Sequence, residues 1–238
     1  MLGRIRKALG HPAGGPTGGP SPRKTLPELG VVLPPIPPDG LVSTFEQEIE
    51  KVSGKTYRAS TPAELDDTLR KILTAVNAKS VVLSRNPLLT QIGLTGKLQA
   101  GGMEVSAWTT GQAPSEGGGE QSFRERAFTA EVGISGVDFV LAESGTLVLS
   151  SQTEGAQLAS LAPPVHVALY RRGQVLGSME EVLERLCLAS EEGPSLPGRS
   201  VVFITGSSRT ADIEQILVHG VHGPREVHAI LLEDSCLG

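Results

Sequence analysis

The chain has 238 residues, of which 39% are hydrophobic and only 3% aromatic, so any core must be built mainly from aliphatic side chains. It carries 21 basic against 26 acidic residues, and the net charge of −5 argues against a dedicated nucleic-acid binder. No apolar run approaches the ~20 residues that span a bilayer, and two cysteines are too few for a self-contained iron–sulfur or zinc site. The N-terminus also lacks the apolar stretch of a signal peptide. We therefore expect a cytoplasmic protein with no membrane span and no metal site of its own.

Glycine and proline are concentrated at the start of the chain. Residues 1–40 hold 8 of the 29 glycines and 9 of the 17 prolines. A segment of this composition cannot pack a core and is typical of a flexible spacer. We therefore predict a flexible segment over residues 1–40 and a single α/β domain over residues 41–238.

The first half of that domain is predicted to alternate helices and strands. Capping-box spacing at Ser43 to Glu46 and at Thr61 to Glu64 predicts two helix starts. After the second, leucine, isoleucine and valine recur at the spacing of one helix face. Further elements are predicted in this order: strand 81–83, helix 88–98, strand 103–108 and helix 123–131.

The second half is predicted to contain more strands. Strands are expected at 137–142, Thr146–Ser150 and 165–170, and a third capping box at Ser178 to Glu181 predicts a helix. The predicted buried face of that helix consists of Met179, Val182, Leu183, Leu186 and Cys187. The chain then predicts strand Val201–Ile204, helix 210–218 and strand 227–232.

Alternating strands and helices favour an α/β fold, with a Rossmann-like, mostly parallel sheet and helices on both faces. Residues 201–204 and 229–232 are continuous apolar runs rather than alternating ones. Such runs are typical of central strands that are buried on both sides. We therefore expect both segments in the middle of the sheet.

The segment 206–214, GSSRTADIE, is the first candidate site. Free N–H groups and the helix dipole at a strand-to-helix junction attract anions. Ser207, Ser208 and Thr210 would add hydroxyl donors, and Arg209 could grip a carboxylate or phosphate with paired hydrogen bonds. Alternatively, Ser208 or Thr210 only caps the helix and Arg209 pairs with a neighbouring acid.

The segment 142–146, AESGT, is the second candidate site. It lies between two predicted strands, where open α/β sheets place ligands. Glu143 could act as a nucleophile or general base if burial raises its pKa, with Ser144, Gly145 and Thr146 contacting a ligand. Alternatively, this is a strand turn in which Gly145 supplies a positive φ.

His222 lies in a Gly/Pro-rich turn, three residues after His219. No spaced carboxylate or cysteine completes a metal-binding set, so a structural turn competes with a role for His222 as acid, base or donor. No glycine-rich nucleotide fingerprint and no G-x-S-x-G nucleophile elbow is present.

Residues 201–224 resemble the C-terminal signature of the LUD-domain family, in particular its lactate-utilisation branch. The segments 136–149 and 160–166 are similar to that family's other signatures. The resemblance implies a fold like that of the sugar-phosphate isomerase and CoA-transferase superfamily. It also implies a role in oxidising lactate to pyruvate beside partner subunits that carry iron–sulfur clusters, with no cofactor bound by this chain alone.

Three functions therefore stay open. The first is a cluster-free subunit or accessory protein of a lactate-oxidising complex, binding a small anionic ligand near Arg209. The second is an independent CoA-transferase-like enzyme that uses Glu143. The third is a non-catalytic module that binds an organic acid or phosphate.

Overall fold

The protein is described from a computed structural model, which covers residues 35–108, 119–188, 198, 200–211, 217–219 and 223–236. The side chains of residues 119–121, 187–188, 209–211 and 217–219 are outside this description. Residues 36–238 belong to one compact unit. Within it, Ile36 already packs against the core. The predicted boundary between residues 40 and 41 stays a prediction.

The α-helices of the described residues range from one to four turns. They are α1 Leu41–Lys51, α2 Pro62–Ala75, α3 Pro87–Gln91, α4 Leu94–Ala100, α5 Gly119–Thr129, α6 Ser151–Glu154, α7 Leu158–Leu161 and α8 Met179–Leu188. The helix start predicted at Thr61 is confirmed, because Glu64 N–H donates to Thr61 Oγ1 at 3.2 Å. The Glu64 carboxylate accepts from Ser60 N–H rather than from Thr61 N–H, so the capping box is only half formed. Within the described part of the chain, no helix is long and apolar enough to cross a membrane.

The described strands form three sheets. Their bounds are β1 Lys55–Ala59, β2 Ser80–Leu83, β3 Glu104–Ala107, β4 Val132–Ser135, β5 Phe139–Leu141, β6 Thr146–Ser150, β7 Val165–Arg171, β8 Val175–Leu176, β9 Val201–Ile204, β10 Arg209–Ala211, β11 Leu217–His219 and β12 Glu226–Leu232. The main sheet is parallel throughout, in the order β1-β12-β7-β4-β2-β3. A smaller sheet has the order β8-β5-β6-β9, and β10 pairs with β11 as an antiparallel ribbon.

Helices pack on both faces of the main sheet, as predicted. On one face, α2, α3 and α4 bury leucines and isoleucines against residues such as Val167 and Ile230. On the other face, α1 packs against the alternate residues Ala168 and Ala229, while α5 and α7 cover Val82. Because successive strand residues point to opposite faces, the continuous apolar run of β12 supplies both cores. The α/β class and the mostly parallel sheet are therefore confirmed.

Several predicted elements are wrong. Val201–Ile204 is an edge strand of the small sheet rather than a central strand, and Phe203 is 39% exposed. The predicted helix 210–218 is wrong at both ends, where β10 and β11 pair as strands; its middle, 212–216, is outside the described residues. Ser43 lies inside α1, which begins at Leu41, and its hydroxyl donates to Gly40 O.

Other differences concern helix breaks and burial. Gly93 has a φ of 63° and divides the predicted helix 88–98 into α3 and α4. On α8, Val182 is buried, but Met179 and Leu183 are 37% and 49% exposed, so the predicted buried face is too wide. The strands β1 and β4 were not predicted, because each is short and lacks a long apolar run.

Candidate functional site

The turn at 142–146 packs directly against helix α1. Residues 142–144 form one turn of 3-10 helix, and Gly145 follows with a φ of 63°. A Cβ atom on Gly145 would lie 2.2 Å from the backbone nitrogen of Ile49. The interpretation of Gly145 as a positive-φ turn residue is therefore confirmed, and glycine is required there by both conformation and space.

Glu143 caps a helix in this structure. Its side chain is exposed, and Oε1 accepts a hydrogen bond of 2.8 Å from the N–H of Met179, the first residue of α8. A carboxylate at a helix N-terminus is stabilised by the unpaired N–H groups and by the helix dipole. The hydrogen bond to Met179 N–H thus gives Glu143 a structural role at the start of α8.

The structure brings the two sequence signatures together through hydroxyl groups. Thr146 Oγ1 lies 2.7 Å from Ser144 Oγ and 2.7 Å from Thr205 Oγ1, across the β6–β9 pairing. We call Ser144, Thr146 and Thr205 the hydroxyl cluster. Thr146 is buried, whereas Thr205 is exposed, so the cluster reaches the surface at Thr205.

Ser207 follows the hydroxyl cluster along the chain. It is 9% exposed, and its Oγ has no hydrogen-bond partner among the described residues. Gly206, with a φ of 80°, packs on Val52 at the end of α1. Ser208 N–H donates to Pro224 O at 2.8 Å, and this hydrogen bond joins the two ends of the segment that carries β10 and β11. Two of the four predicted anion contacts in this segment, Ser207 and Ser208, therefore follow Thr205 of the hydroxyl cluster by two and three residues along the chain.

The remaining predicted contacts are described only in part. Arg209 pairs with His219 in the β10–β11 register, but their side chains lie outside the described residues, as does that of Thr210. His222 also lies outside them. Because Arg209–Ala211 is a strand, the helix dipole that motivated the anion site is absent at these three residues. The roles of Arg209, Thr210 and His222 stay predictions.

Sequence reasoning missed a second polar cluster, at the carboxyl ends of β2 and β4. We call Asn86, Asp138, Glu154 and Thr153 the acid cluster. Glu154 is fully buried, and its Oε1 accepts a hydrogen bond from Asn86 Nδ2. Its Oε2 has no partner in the described structure. Burial raises the pKa of Glu154 to about 7, although hydrogen bonds from Ser84 and Asn86 act in the opposite direction.

Asp138 supplies the second carboxyl group of the acid cluster. Its Oδ2 accepts hydrogen bonds from Ser150 N–H at 2.5 Å and from Thr153 Oγ1 at 2.9 Å. Burial raises the pKa of Asp138, and its charge also raises the pKa of Glu154. The acid cluster therefore contains one buried carboxyl group, that of Glu154, whose pKa lies near neutral pH, beside the half-buried Asp138, whose pKa is also raised.

His166 lies on β7 of the main sheet, beside Ser135 at the end of β4. It is fully buried, and its Nε2 lies 2.8 Å from Ser135 Oγ. Burial lowers the pKa of His166 to about 3, so the ring is neutral at pH 7. Its burial and its contact with Ser135 give His166 a structural role.

A sequence signal for the acid cluster existed. Ser84 and Asn86 follow the apolar run of β2, and Asp138 follows β4 by three residues. Carboxyl ends of adjacent parallel strands meet at one edge of a sheet. What the sequence could not indicate is that Glu154, from a short helix after β6, folds back onto Asn86.

The fold and these clusters define an α/β protein with a parallel six-stranded sheet and a small second sheet that carries its polar loops. Residues 42–232 match the LUD domain family, and the chain belongs to that family. It is 32% identical over 196 residues to the lactate utilization protein C of Halalkalibacterium halodurans, covering 82% of this chain and 80% of that protein. It is 28% identical over 200 residues to the lactate utilization protein C of Bacillus subtilis, with coverages of 82% and 80%.

A solved structure shares the fold. The crystal structure of a DUF162 family protein from Deinococcus radiodurans superposes with a TM-score of 0.57 at 20% identity. The match covers 83% of this chain and 99% of that one.

Proposed function

We propose that this chain acts in lactate utilisation, as a subunit without clusters of its own that works beside iron–sulfur partner subunits and binds a small carboxylate. The observation that carries the proposal is the similarity to lactate utilization protein C over four-fifths of both chains. The scarcity of cysteine, two in the whole chain, is consistent with a division of labour in which other subunits carry the clusters.

The hydroxyl cluster and Ser207 support the choice of an anionic ligand. Hydroxyl groups donate short hydrogen bonds to carboxylates. The exposed Thr205 gives a ligand access to the cluster, and the unpartnered, buried Ser207 Oγ has a hydrogen to donate. A buried hydroxyl without a partner costs free energy, which a ligand that accepts its hydrogen bond would recover.

The CoA-transferase-like alternative has less support. It needs a carboxylate that is free to attack an acyl group, whereas Glu143 accepts a hydrogen bond from the first turn of α8. A transferase would have to release this helix cap in every turnover. We therefore retain Glu143 as a structural residue in the proposal.

Thermal stability with and without ligand tests the binding step. A ligand at a hundred times its Kd adds about 2.7 kcal/mol to the free energy of unfolding. For a chain of this size the melting temperature then rises by roughly 5–11 °C. Lactate, pyruvate, inorganic phosphate and coenzyme A are tested in turn, and we expect a shift with lactate or pyruvate.

The variant Ser207→Ala should reduce that shift, and Thr90→Val is the matched control because Thr90 is an exposed hydroxyl residue on α3. Equal shifts in wild type, Ser207→Ala and Thr90→Val would place the ligand elsewhere. A shift with coenzyme A alone would favour the transferase.

A further inference from the structure

A pocket lies at the amino ends of β1 and β12, the end of the main sheet opposite the acid cluster. It is a cavity of about 330 Å³ between the end of α2 and the first residues of these strands. We call it the amino-edge pocket. Its lining consists of Lys55, Tyr57, Lys71, Ile72, Ala75, Val76, Glu226 and His228. Its volume is at the lower end of the range for small-molecule sites.

The buried imidazole of His228 lines this pocket with one nitrogen unused. His228 is 3% exposed, and its Nε2 makes no hydrogen bond with any described residue, lying 3.4 Å from Glu226 Oε2. The Tyr57 ring stacks on the imidazole at a centroid distance of 5.7 Å, and Tyr57 OH lies 3.1 Å from Nδ1.

The Glu226 carboxylate favours one tautomer of His228, because its Oε2 can only accept a hydrogen bond and lies 3.4 Å from Nε2. Burial raises the pKa of Tyr57, so its hydroxyl keeps its proton and can donate to Nδ1 in that tautomer. Burial lowers the pKa of His228, so the ring is neutral and carries one hydrogen. With Nδ1 as acceptor, that hydrogen is on Nε2, which becomes a donor in the pocket.

The charged groups around His228 have a net positive charge that one anionic group would neutralise. Lys55 Nζ and Glu226 Oε2 form an ion pair of 2.6 Å and neutralise each other. Lys71 is exposed and pairs with no carboxylate in the described ranges. The remaining ionisable neighbours are Tyr57 and the neutral His166 on β7. One ammonium group is therefore uncompensated, while the Glu226 carboxylate disfavours a dianion.

The wall opposite the strands is apolar. Ile72, Ala75 and Val76 contribute it from the end of α2. A ligand that matches the pocket therefore has one anionic end and one apolar end.

We propose that the amino-edge pocket binds a small aliphatic monocarboxylate, with its carboxylate against Lys71 and the Nε2–H of His228 and its hydrocarbon chain against Ile72 and Val76. This site lies on the face of the main sheet that α2 covers, whereas the turn that carries Ser144 and Thr146 packs against α1 on the other face. It goes beyond the proposed role in lactate utilisation and does not depend on it.

Calorimetric titration of the full chain with hexanoate, acetate and inorganic phosphate tests the proposal. Hexanoate should bind about tenfold or more tightly than acetate, because its additional methylene groups leave water. Phosphate should bind more weakly than hexanoate. No hexanoate binding at millimolar concentration, or equal binding of acetate and hexanoate, would overturn the proposal.

Variants locate the site. Lys71→Ala should weaken hexanoate binding about three- to fivefold, as expected for one exposed charge. Lys79→Ala is the matched control, because Lys79 is exposed and lines a different groove. Ser207→Ala should leave hexanoate binding unchanged, which separates this test from that of the proposed function. Equal weakening by Lys71→Ala and Lys79→Ala would indicate only non-specific attraction and would contradict the proposal.

The imidazole contact is tested in two ways. His228→Asn keeps an acceptor for Tyr57 but has no donor at the position of Nε2, and it should weaken binding about tenfold. If this buried change prevents folding, Tyr57→Phe preserves the stacked ring and removes the hydroxyl that contacts Nδ1. The ¹⁵N resonance of His228 Nε2 should also shift when hexanoate is added to wild type. An unmoved resonance with bound hexanoate would refute the imidazole contact.

Discussion

The buried carboxyl group of Glu154 makes the stability of this protein depend on pH in a defined direction. Burial raises its pKa from 4.5 to about 7, and one oxygen lacks a partner in the described structure. The folded state therefore holds this proton more tightly than the unfolded chain does. The resulting stabilisation is fully present below pH 4.5 and is lost as the pH rises through 7.

The size of this stabilisation follows from the difference between the pKa values of Glu154 in the unfolded and folded states. Each pH unit between the two pKa values changes the free energy of unfolding by about 1.4 kcal/mol, so the whole window corresponds to about 3 kcal/mol. Glu154→Gln keeps the carbonyl oxygen that accepts from Asn86 and removes the titration. The variant should therefore gain about 2.5 kcal/mol relative to wild type between pH 5 and pH 8, the part of the window that this range covers, whatever its stability at pH 5.

Urea unfolding at pH 5, 6, 7 and 8 measures this difference. The lowered pKa values of His166 and His228 act with the opposite sign, since stability from a depressed histidine is lost as the pH falls. They are common to both proteins and cancel in the comparison. Glu184→Gln, on the exposed surface of α8, is the matched control and should change little. Parallel pH profiles for wild type and Glu154→Gln would refute the reasoning.

Two further predictions concern the turn at 142–146. Gly145→Ala should destabilise the protein by about 2 kcal/mol or more in urea unfolding, because the new Cβ meets the backbone of Ile49 at a positive φ. Gly96→Ala, in open space within α4, should instead stabilise it by about 0.5–1 kcal/mol, and equal effects would contradict the close approach at Gly145. Glu143→Ala should cost about 1 kcal/mol through loss of the contact with Met179 N–H, measured by urea unfolding, and an unchanged stability would argue against the cap.

Three strands of the main sheet, β2, β7 and β12, could be predicted from the sequence because their residues are mostly apolar and buried on both faces. The run 229–232 is buried in the middle of the sheet, as the pattern indicated. The same pattern at 201–204 led to the wrong prediction of a central strand. The apolar residues there cover only one side of a small sheet and leave Phe203 exposed. Periodicity reports hydrophobicity, not which neighbour covers a strand.

The candidate sites show the same limit. Ser144, Thr146 and Ser207 were predicted from motifs, and the bond between Thr146 and Thr205 joins the two motifs in space. Glu154 could not be predicted, since its burial depends on a contact with Asn86 from a distant strand end. The prediction of a helix over 210–218 was wrong because the polar residues of 206–214 resemble a helix start. The chain instead pairs as an antiparallel ribbon on either side of 212–216.

Growth on lactate tests the central claim most directly. The gene is deleted in the organism that encodes it, and growth is compared on lactate and glucose as sole carbon sources. The account predicts slow growth on lactate alone, restored by wild type and by Thr90→Val, and restored less well by Ser207→Ala. Normal growth of the deletion strain on lactate, with no second copy of the gene, would contradict a role in lactate utilisation.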